Sequence, residues 1–488
     1  MRQGEKVRKK GVSKERDTEK KEEVFSRAVY LQFKEKGKVA IKYKAFSEDL
    51  IKEHYFKTLG DTKEILHYRD GFYQFGGEEV IEKECEKTFG EFISRFGINE
   101  IIGHVQRSTY IEREEVNQDP LILNLKNGLY NLKTFEFSEH TPDIITTTRL
   151  PVLFDPNAKC PKIEKFLREI VSREDIQLLK EIPGYCLYRS YFIRKAVMLV
   201  GGGGNGKSTY LNLLKAFLGK NYSTASLQDL VSNRFSTASL FGKLANIYPD
   251  LSPKSLVDTG KFKILTGCDA VDGEKKFKDC FNFENFAKLL FSANTVPISH
   301  DSSKAFFDRW IIINFPFEFN NKKDANNGVK KADKKIIEKI TTQEELSGFL
   351  NLALKGLQRL LKNSEFSYNK KSEEIEEEYL RLSNNIYGFV HDWCELDVKV
   401  EVLKSELYNA YVNYCKLKRQ PPMTNNKFGR ELPRQATVTE THPRVAGRQQ
   451  EAWRGIKLKD NIYDNIYYKD NTYDKNNSRD IYDSDNTK

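Results

Sequence analysis

Five consecutive apolar residues, Ala196 to Val200, run straight into Gly201-Gly202-Gly203-Gly204-Asn205-Gly206-Lys207-Ser208-Thr209. No other stretch limits the possible folds as tightly. The eight residues Gly201 to Ser208 fit G-x-x-x-x-G-K-[ST], the phosphate-binding loop. They are followed by a helical pattern of Leu211, Leu213, Leu214, Phe217 and Leu218, so strand, loop and helix follow one another as that motif requires. Glycines let the backbone take positive φ and turn successive N–H groups into a concave cradle for phosphate oxygens. The following helix N-terminus adds favourable partial charge. Gly201, Gly202, Gly203, Gly204, Asn205, Gly206, Lys207, Ser208 and Thr209 are therefore the expected nucleotide-binding residues. Lys207 reaches the β and γ phosphates, and the Ser208 hydroxyl serves as a magnesium ligand. A glycine linker matching by chance would lack the strand and helix on either side.

The remaining chain carries few competing signals. Its 488 residues, 39% of them hydrophobic, predict about two to four domains with real cores. The net charge of +10 is spread along the chain, which favours a polyanionic partner such as nucleic acid. Seven scattered cysteines include no C-x-x-C pair, so neither a disulfide framework nor a zinc site is signalled. No apolar stretch approaches the roughly 20 residues that span a bilayer, and the N-terminus is a charged run unlike a signal peptide. The expectation is no membrane and a cytoplasmic location, that of the host cell if the gene is viral or plasmid-borne.

In chain order, 1–23 reads as a disordered basic arm. A mixed α+β domain over 24–160 follows, with hairpins around Asp70-Gly71 and Asn127-Gly128 and one helix from Val80 to Phe96 between them. Helical periodicity over Ile163–Ile170 and Asp175–Tyr188 leads into an ATPase domain spanning 161–365. Its apolar runs Leu244–Tyr248, Phe286–Phe291 and Trp310–Phe315 describe a parallel sheet of an α/β core, with ligand at the strands' carboxyl edge. Lys370–Glu378 reads as a solvated run. Helices near Ile386–Cys394, Leu403–Leu417 and Asn425–Leu432, then a basic hairpin-like stretch from Arg434 to Lys459, describe a winged helix-turn-helix within 366–459. The low-complexity tail 460–488 reads as disordered.

Asp250, just past the Leu244–Tyr248 run, is the candidate second acidic group, holding magnesium and orienting water. A turn or helix-capping aspartate is the structural alternative. Asn294, ending the next strand, is placed to bond the γ-phosphate and the attacking water, or is a plain turn asparagine. Together with Lys263-Ile264-Leu265-Thr266-Gly267-Cys268-Asp269, Glu274-Lys275-Lys276-Phe277-Lys278, Leu289-Leu290-Phe291-Ser292-Ala293-Asn294 and Phe306-Phe307-Asp308-Arg309-Trp310, this ordered set resembles superfamily 3 helicases. The likeness is to the ATPase region of phage, plasmid and poxvirus primase-helicases. It extends upstream through Asn127-Gly128, Phe154-Asp155-Pro156 and Pro183-Gly184-Tyr185, covering about 45–320. Cys268 stands where the family commonly has a second glycine, Asp308 where it often has a second arginine, and Asp250 lacks an acidic neighbour.

The resemblance implies an AAA+ ATPase that uses ATP and Mg2+, assembles as a homo-hexameric ring and translocates on single-stranded DNA. Arg309 is then the arginine finger that acts on a neighbour's nucleotide, and Lys207, Asp250 and Asn294 act within the subunit. The structural alternative for Arg309 is an ion pair with Asp308. A hairpin over Glu274–Phe286 would project into the ring channel, with Lys275, Lys276 and Lys278 as DNA contacts. Too few residues precede the likeness for a primase domain, so any primase or polymerase is expected as a separate partner. The leading expectation is a replicative DNA helicase of a virus, plasmid or integrated mobile element, acting on single-stranded and forked DNA. An ATP-regulated origin initiator or scaffold without processive unwinding is the main alternative. A P-loop kinase or metabolic ATPase is a third, which leaves the basic C-terminal stretch unexplained.

Overall fold

The structure, a computed structural model, describes residues 28–33, 39–256, 258–267, 269–274, 280–320, 329–368, 370–418, 420–445, 448–460 and 462. The N-terminal arm, the C-terminal tail apart from 460 and 462, and Lys275, Lys276 and Lys278 lie outside these residues. The chain begins with an α+β region: α1 (Tyr43–His54), β1 (Lys57–Leu59), β2 (Ile65–Arg69), β3 (Phe72–Phe75), α2 (Gly77–Phe89), α3 (Arg95–Ser108) and β4 (Tyr110–Ile111). Its sheet order is β3-β2-β1-β4. Asp70 and Gly71 both take positive φ, 54° and 85°, the hairpin geometry that an Asp-Gly pair supplies. The single helix expected over Val80–Phe96 is two helices. Gly90 turns to φ 52°, and Ser94 restarts the chain by accepting a hydrogen bond from the Gly97 N–H at 3.3 Å. The second hairpin, β5 (Ile122–Leu125) with β6 (Gly128–Asn131), sends Leu123, Leu125 and Tyr130 into the same core as the helices that follow.

Those helices are α4 (Pro161–Ile170) and α5 (Ile176–Leu187). They precede β8 (Ala196–Val200), α6 (Lys207–Leu218), β9 (Tyr222–Ser223) and β10 (Ala245–Tyr248), counting Phe137–Ser138 as β7. The chain continues through α7 (Thr259–Leu265), β11 (Ala270–Gly273), β12 (Phe281–Glu284), β13 (Lys288–Ala293), α8 (Lys304–Phe307) and β14 (Trp310–Asn314). A five-stranded sheet of order β9-β10-β13-β8-β14 is parallel throughout. The unbroken apolar run of β8 follows from burial on both faces. Val197 and Leu199 enter one core with α5 and α6, while Ala196, Met198 and Val200 enter the opposite one with α7.

Two long-range packings frame the sheet. The first is between α5 and α9 (Gln343–Asn363), which touch backbone to backbone: a Cβ on Gly184 would lie 2.3 Å from the Ala353 carbonyl oxygen. Fully buried Glu181 on α5 pairs with Arg359 on α9 and accepts from Ser367 N–H at 2.9 Å. The second is α10 (Ser372–Ser383), which lies where a solvated run was expected. Its many glutamates obscure one apolar edge, Ile375 and Tyr379 four residues apart, and both are buried in the sheet's second core.

The last region is α11 (Asn385–Trp393), β15 (Cys394–Leu403), α12 (Lys404–Lys418), α13 (Asn425–Gln435), β16 (Thr439–Thr441) and β17 (Ala452–Leu458), with an antiparallel sheet of order β15-β17-β16. Phe389, Tyr411, Phe428 and Trp453 fill its separate core, with the Tyr411 and Phe428 rings stacked at 4.6 Å. Strand β15, between the first two helices, has no counterpart in the sequence reading. Among the described residues no helix is long and apolar enough to cross a membrane.

Candidate functional site

The parallel sheet decides what gathers at each of its edges. Val200 of β8 is in register with Ala293 of β13 and Asn314 of β14, so Gly201 and Asn294 leave the sheet side by side. Tyr248 of β10 is in register with Phe291, which carries Asp250 past the same carboxyl edge. Three segments separate in sequence thus end in one place, as expected of a doubly wound sheet.

Within the loop, Gly204 and Gly206 hold φ of 73° and 90°, and Gly206 is the cap of α6. A Cβ on Gly206 would press on Ile170 of α4 at 2.7 Å, so glycine is required there both for conformation and for space. Asn205 is buried. Its amide donates to the carbonyls of Phe315 at 2.9 Å and Phe317 at 3.1 Å, so its side chain anchors the loop and only its backbone faces the cradle. Lys207, also buried, donates to the carbonyls of Gly201 at 2.6 Å and Gly202 at 2.8 Å and to Asn294 Oδ1 at 3.3 Å. Burial pushes its pKa below the ordinary lysine value, and the charge of Asp250 partly offsets that. Ser208, Asp250 and Asn294 are exposed, and Thr209 is half-buried.

These residues fit a nucleoside triphosphate with a divalent cation. The loop has the positive-φ glycines, a helix N-terminus and a cation at its mouth. The Ser208 hydroxyl and Asp250 carboxylate are the hard oxygen ligands that magnesium takes. Lys207 rests on the loop's own carbonyls, a position from which a phosphate oxygen would draw it.

Arg309 is elsewhere. It precedes β14, whose five residues place it about 16 Å from the carboxyl edge at a strand rise of ~3.3 Å per residue. Its Nε donates to Thr266 Oγ1 at 2.9 Å and its Nη1 to the Ala305 carbonyl at 2.6 Å, while the Asp308 carboxylate accepts from the Ser372 hydroxyl. Burial, and then the nearby charge of Arg194, push the Arg309 pKa down; Asp269 and Asp308 act in the other direction.

Arg194, exposed at the same edge, was missed by the sequence reading, as were Lys195 and Lys288. Only the strand register places Lys195 beside Arg309. Ala196 is in register with Trp310, so the residue before each strand must neighbour the other. Lys195 donates to the Asp308 carbonyl, whereas Lys288, fully buried, donates to the carbonyls of Tyr188 at 2.8 Å, Ser190 at 3.0 Å and Phe286 at 2.7 Å. The chain between α7 and β13 forms the antiparallel hairpin β11–β12. Its far end, where Phe281 pairs with Gly273, meets the N-terminal region: Arg113, paired with Asp61, lies over the Phe281 ring at 4.3 Å and the Phe241 ring at 4.6 Å.

Comparison with known proteins gives the following. Residues 14–172 match the family described as D5 N terminal like, and residues 381–478 match the poxvirus D5 protein-like family. Residues 199–309 match a family of unknown function. The chain is 22% identical over 351 residues to "Putative helicase L207/L206" of Acanthamoeba polyphaga mimivirus, covering 64% of this chain and 36% of that protein. It is 22% identical over 240 residues to "Putative helicase 184R" of Invertebrate iridescent virus 6, covering 43% of this chain and 24% of that protein. The chain therefore spans well under half the length of these curated relatives. The apo structure of the NrS-1 C-terminal region (305–718) has a TM-score of 0.43 at 12% identity, over 85% of this chain and 99% of that one.

Proposed function

The chain belongs to the D5-like family of superfamily 3 helicases, and from that premise we propose that it is an ATP-dependent DNA helicase whose nucleotide site is completed in trans. The observation that carries this reading is the division of the site residues between opposite edges of one sheet. Lys207, Asp250 and Asn294 converge at the carboxyl edge, while Arg309 is held by Thr266 at the other. A subunit arranged this way presents Arg309 to a neighbour, and a closed heterologous ring gives every subunit that contact; a homo-hexamer is the proposed assembly.

In the proposed site the loop N–H groups and Lys207 bind the β and γ phosphates, and Asn294 and Asp250 orient the attacking water. Ser208 and Asp250 would hold Mg2+, which would neutralise charge developing on the phosphates. Arg309 of a neighbour stabilises charge on the transferring phosphoryl group. The proposed DNA contact is the sequence joining β11 to β12, which includes Lys275, Lys276 and Lys278. We assign the division 24–160, 161–365 and 366–459 to an N-terminal domain, the ATPase domain and a winged-helix DNA-binding domain. For the last, the succession α11, α12, α13 and β16–β17, with Lys427 and Arg430 exposed on α13, supports the reading.

The test is ATP hydrolysis with and without single-stranded DNA, followed by strand displacement on a forked duplex. Stimulated hydrolysis with displacement is expected. Stimulation without displacement would favour an initiator or scaffold, and hydrolysis indifferent to DNA would sink the helicase reading.

A further inference from the structure

Thr266 has no role in the site described so far, yet it is the partner that fixes Arg309. Its side chain is fully buried at the C-cap of α7. A threonine hydroxyl has one proton and two acceptor lone pairs. Here the proton goes back to the Phe262 carbonyl at 2.9 Å, which orients the oxygen to accept from Arg309 Nε. The rest of α7 is tied down as well. Phe262 stacks on Trp310, the residue after Arg309, at 4.7 Å with 15° between planes. At the other end of the helix Asp301 accepts from Thr259 at 2.6 Å and Lys263 at 2.9 Å, joining α7 to the segment that follows Asn294. Immediately beyond Thr266 the chain rises into β11.

We propose that Thr266 is the positioning residue of Arg309, orienting its guanidinium for the neighbouring subunit's nucleotide and tying that orientation to the base of the β11–β12 hairpin. The inference rests on the trans role of Arg309 proposed above. Fixing Nε removes rotamers that a long side chain would otherwise sample, which is how a supporting hydrogen bond raises the fraction of time a catalytic group is aimed. Because the fixing atom belongs to the turn that launches the hairpin, a displacement of the hairpin base displaces the guanidinium with it. One hydrogen bond then links DNA engagement to hydrolysis next door.

The experiment compares Thr266→Val, which keeps the shape and loses the hydroxyl, with Thr266→Ser, which keeps the hydroxyl. Thr266→Val should lower DNA-stimulated kcat about tenfold, the effect of losing one hydrogen bond to a charged group, with the KM for ATP unchanged. Thr266→Ser should retain most of the wild-type rate. Since the defect is in a group acting in trans, mixing Thr266→Val with Lys207→Ala subunits should raise activity above the sum of the two alone. Wild-type kcat and an unchanged DNA stimulation ratio in Thr266→Val would overturn the inference. If that variant no longer binds nucleotide, Arg309→Lys asks the same question from the other side, keeping the charge without an Nε, and a wild-type kcat there would overturn it equally. An Arg309→Ala variant separates the two levels. Full hydrolysis by it removes the trans reading itself, whereas its inactivity beside a normal Thr266→Val removes only the role of Thr266.

Discussion

The two edges of the parallel sheet are built differently. At the carboxyl edge the chain leaves each strand through an exposed or glycine-rich turn, and Asp250, Asn294 and Ser208 face solvent around Lys207. At the amino edge the chain enters three of the five strands under clamps: Lys288 on three carbonyls, Lys195 on another, and Arg309 on Thr266 and Ala305. An open edge can admit a ligand and adjust to it. A clamped edge holds a group in place, which under the proposed trans arrangement serves a neighbouring subunit. The same sheet thus offers a receptive face and a presenting face, which is what a head-to-tail assembly needs.

The strongest challenge to that contrast is Arg309→Ala. Hydrolysis should fall about 10³-fold or more, the usual weight of a trans arginine, while nucleotide binding, followed with a fluorescent analogue, stays near wild type. Loss of binding instead would place Arg309 in its own subunit's site. Lys207→Ala should cost about 10²-fold to 10³-fold in turnover, comparable to losing a preorganised charge-stabilising donor. Here the phosphate-loop defect stays with the mutated subunit, so recovery on mixing with Arg309→Ala subunits distinguishes a receptive edge from a presenting one. Equal, uncomplemented losses for both would erase the distinction.

Lys288→Met probes the clamps without touching nucleotide. It leaves three inward carbonyls without their shared donor and should lower unfolding free energy by about 1–3 kcal/mol, measured by denaturant titration, with the KM for ATP unaltered in the folded fraction. An unchanged midpoint would mean that the amino edge is not held by this side chain. The smallest effect is expected far from both edges. Lys427→Ala on α13 should weaken duplex DNA binding evenly across sequences and reduce the slope of log K against log salt by roughly 1, leaving ATP hydrolysis unstimulated by DNA unchanged. A loss confined to one sequence would make α13 a base reader instead of a phosphate contact.

Much of the receptive edge was legible because its determinants are local. The glycines at 204 and 206 demand positive φ, and the apolar run Ala196–Val200 marks the strand, each within a few adjacent residues; in the N-terminal sheet Asp70-Gly71 sets its hairpin in the same local way. Where the reading failed locally, a competing signal was present but outweighed. Gly90 and Ser94 break the helix expected over Val80–Phe96, and the glutamates of Ser372–Ser383 hide the Ile375 and Tyr379 stripe. The presenting edge had almost no local signature. Arg309 and Thr266 are 43 residues apart, and Lys288 meets carbonyls about 100 residues away. Nothing in a window of sequence distinguishes Lys288 from a solvated lysine, and the run that singles out Arg309 does not give its partner Thr266.

The sequence by itself determined the phosphate loop, the order in which Asp250, Asn294 and Arg309 follow it, and the alternation of strands and helices. Those depend on backbone dihedrals and on side-chain periodicity, which neighbouring residues control. Only the tertiary structure decided which strands lie side by side, and hence that Asn294 meets Lys207 while Arg309 is carried to the opposite edge and bound to Thr266. The reason is that strand order and register are settled by burying both faces of the sheet at once, against α5 and α6 on one side and α7 and α10 on the other. That requirement is met by the whole chain, and no single segment states it.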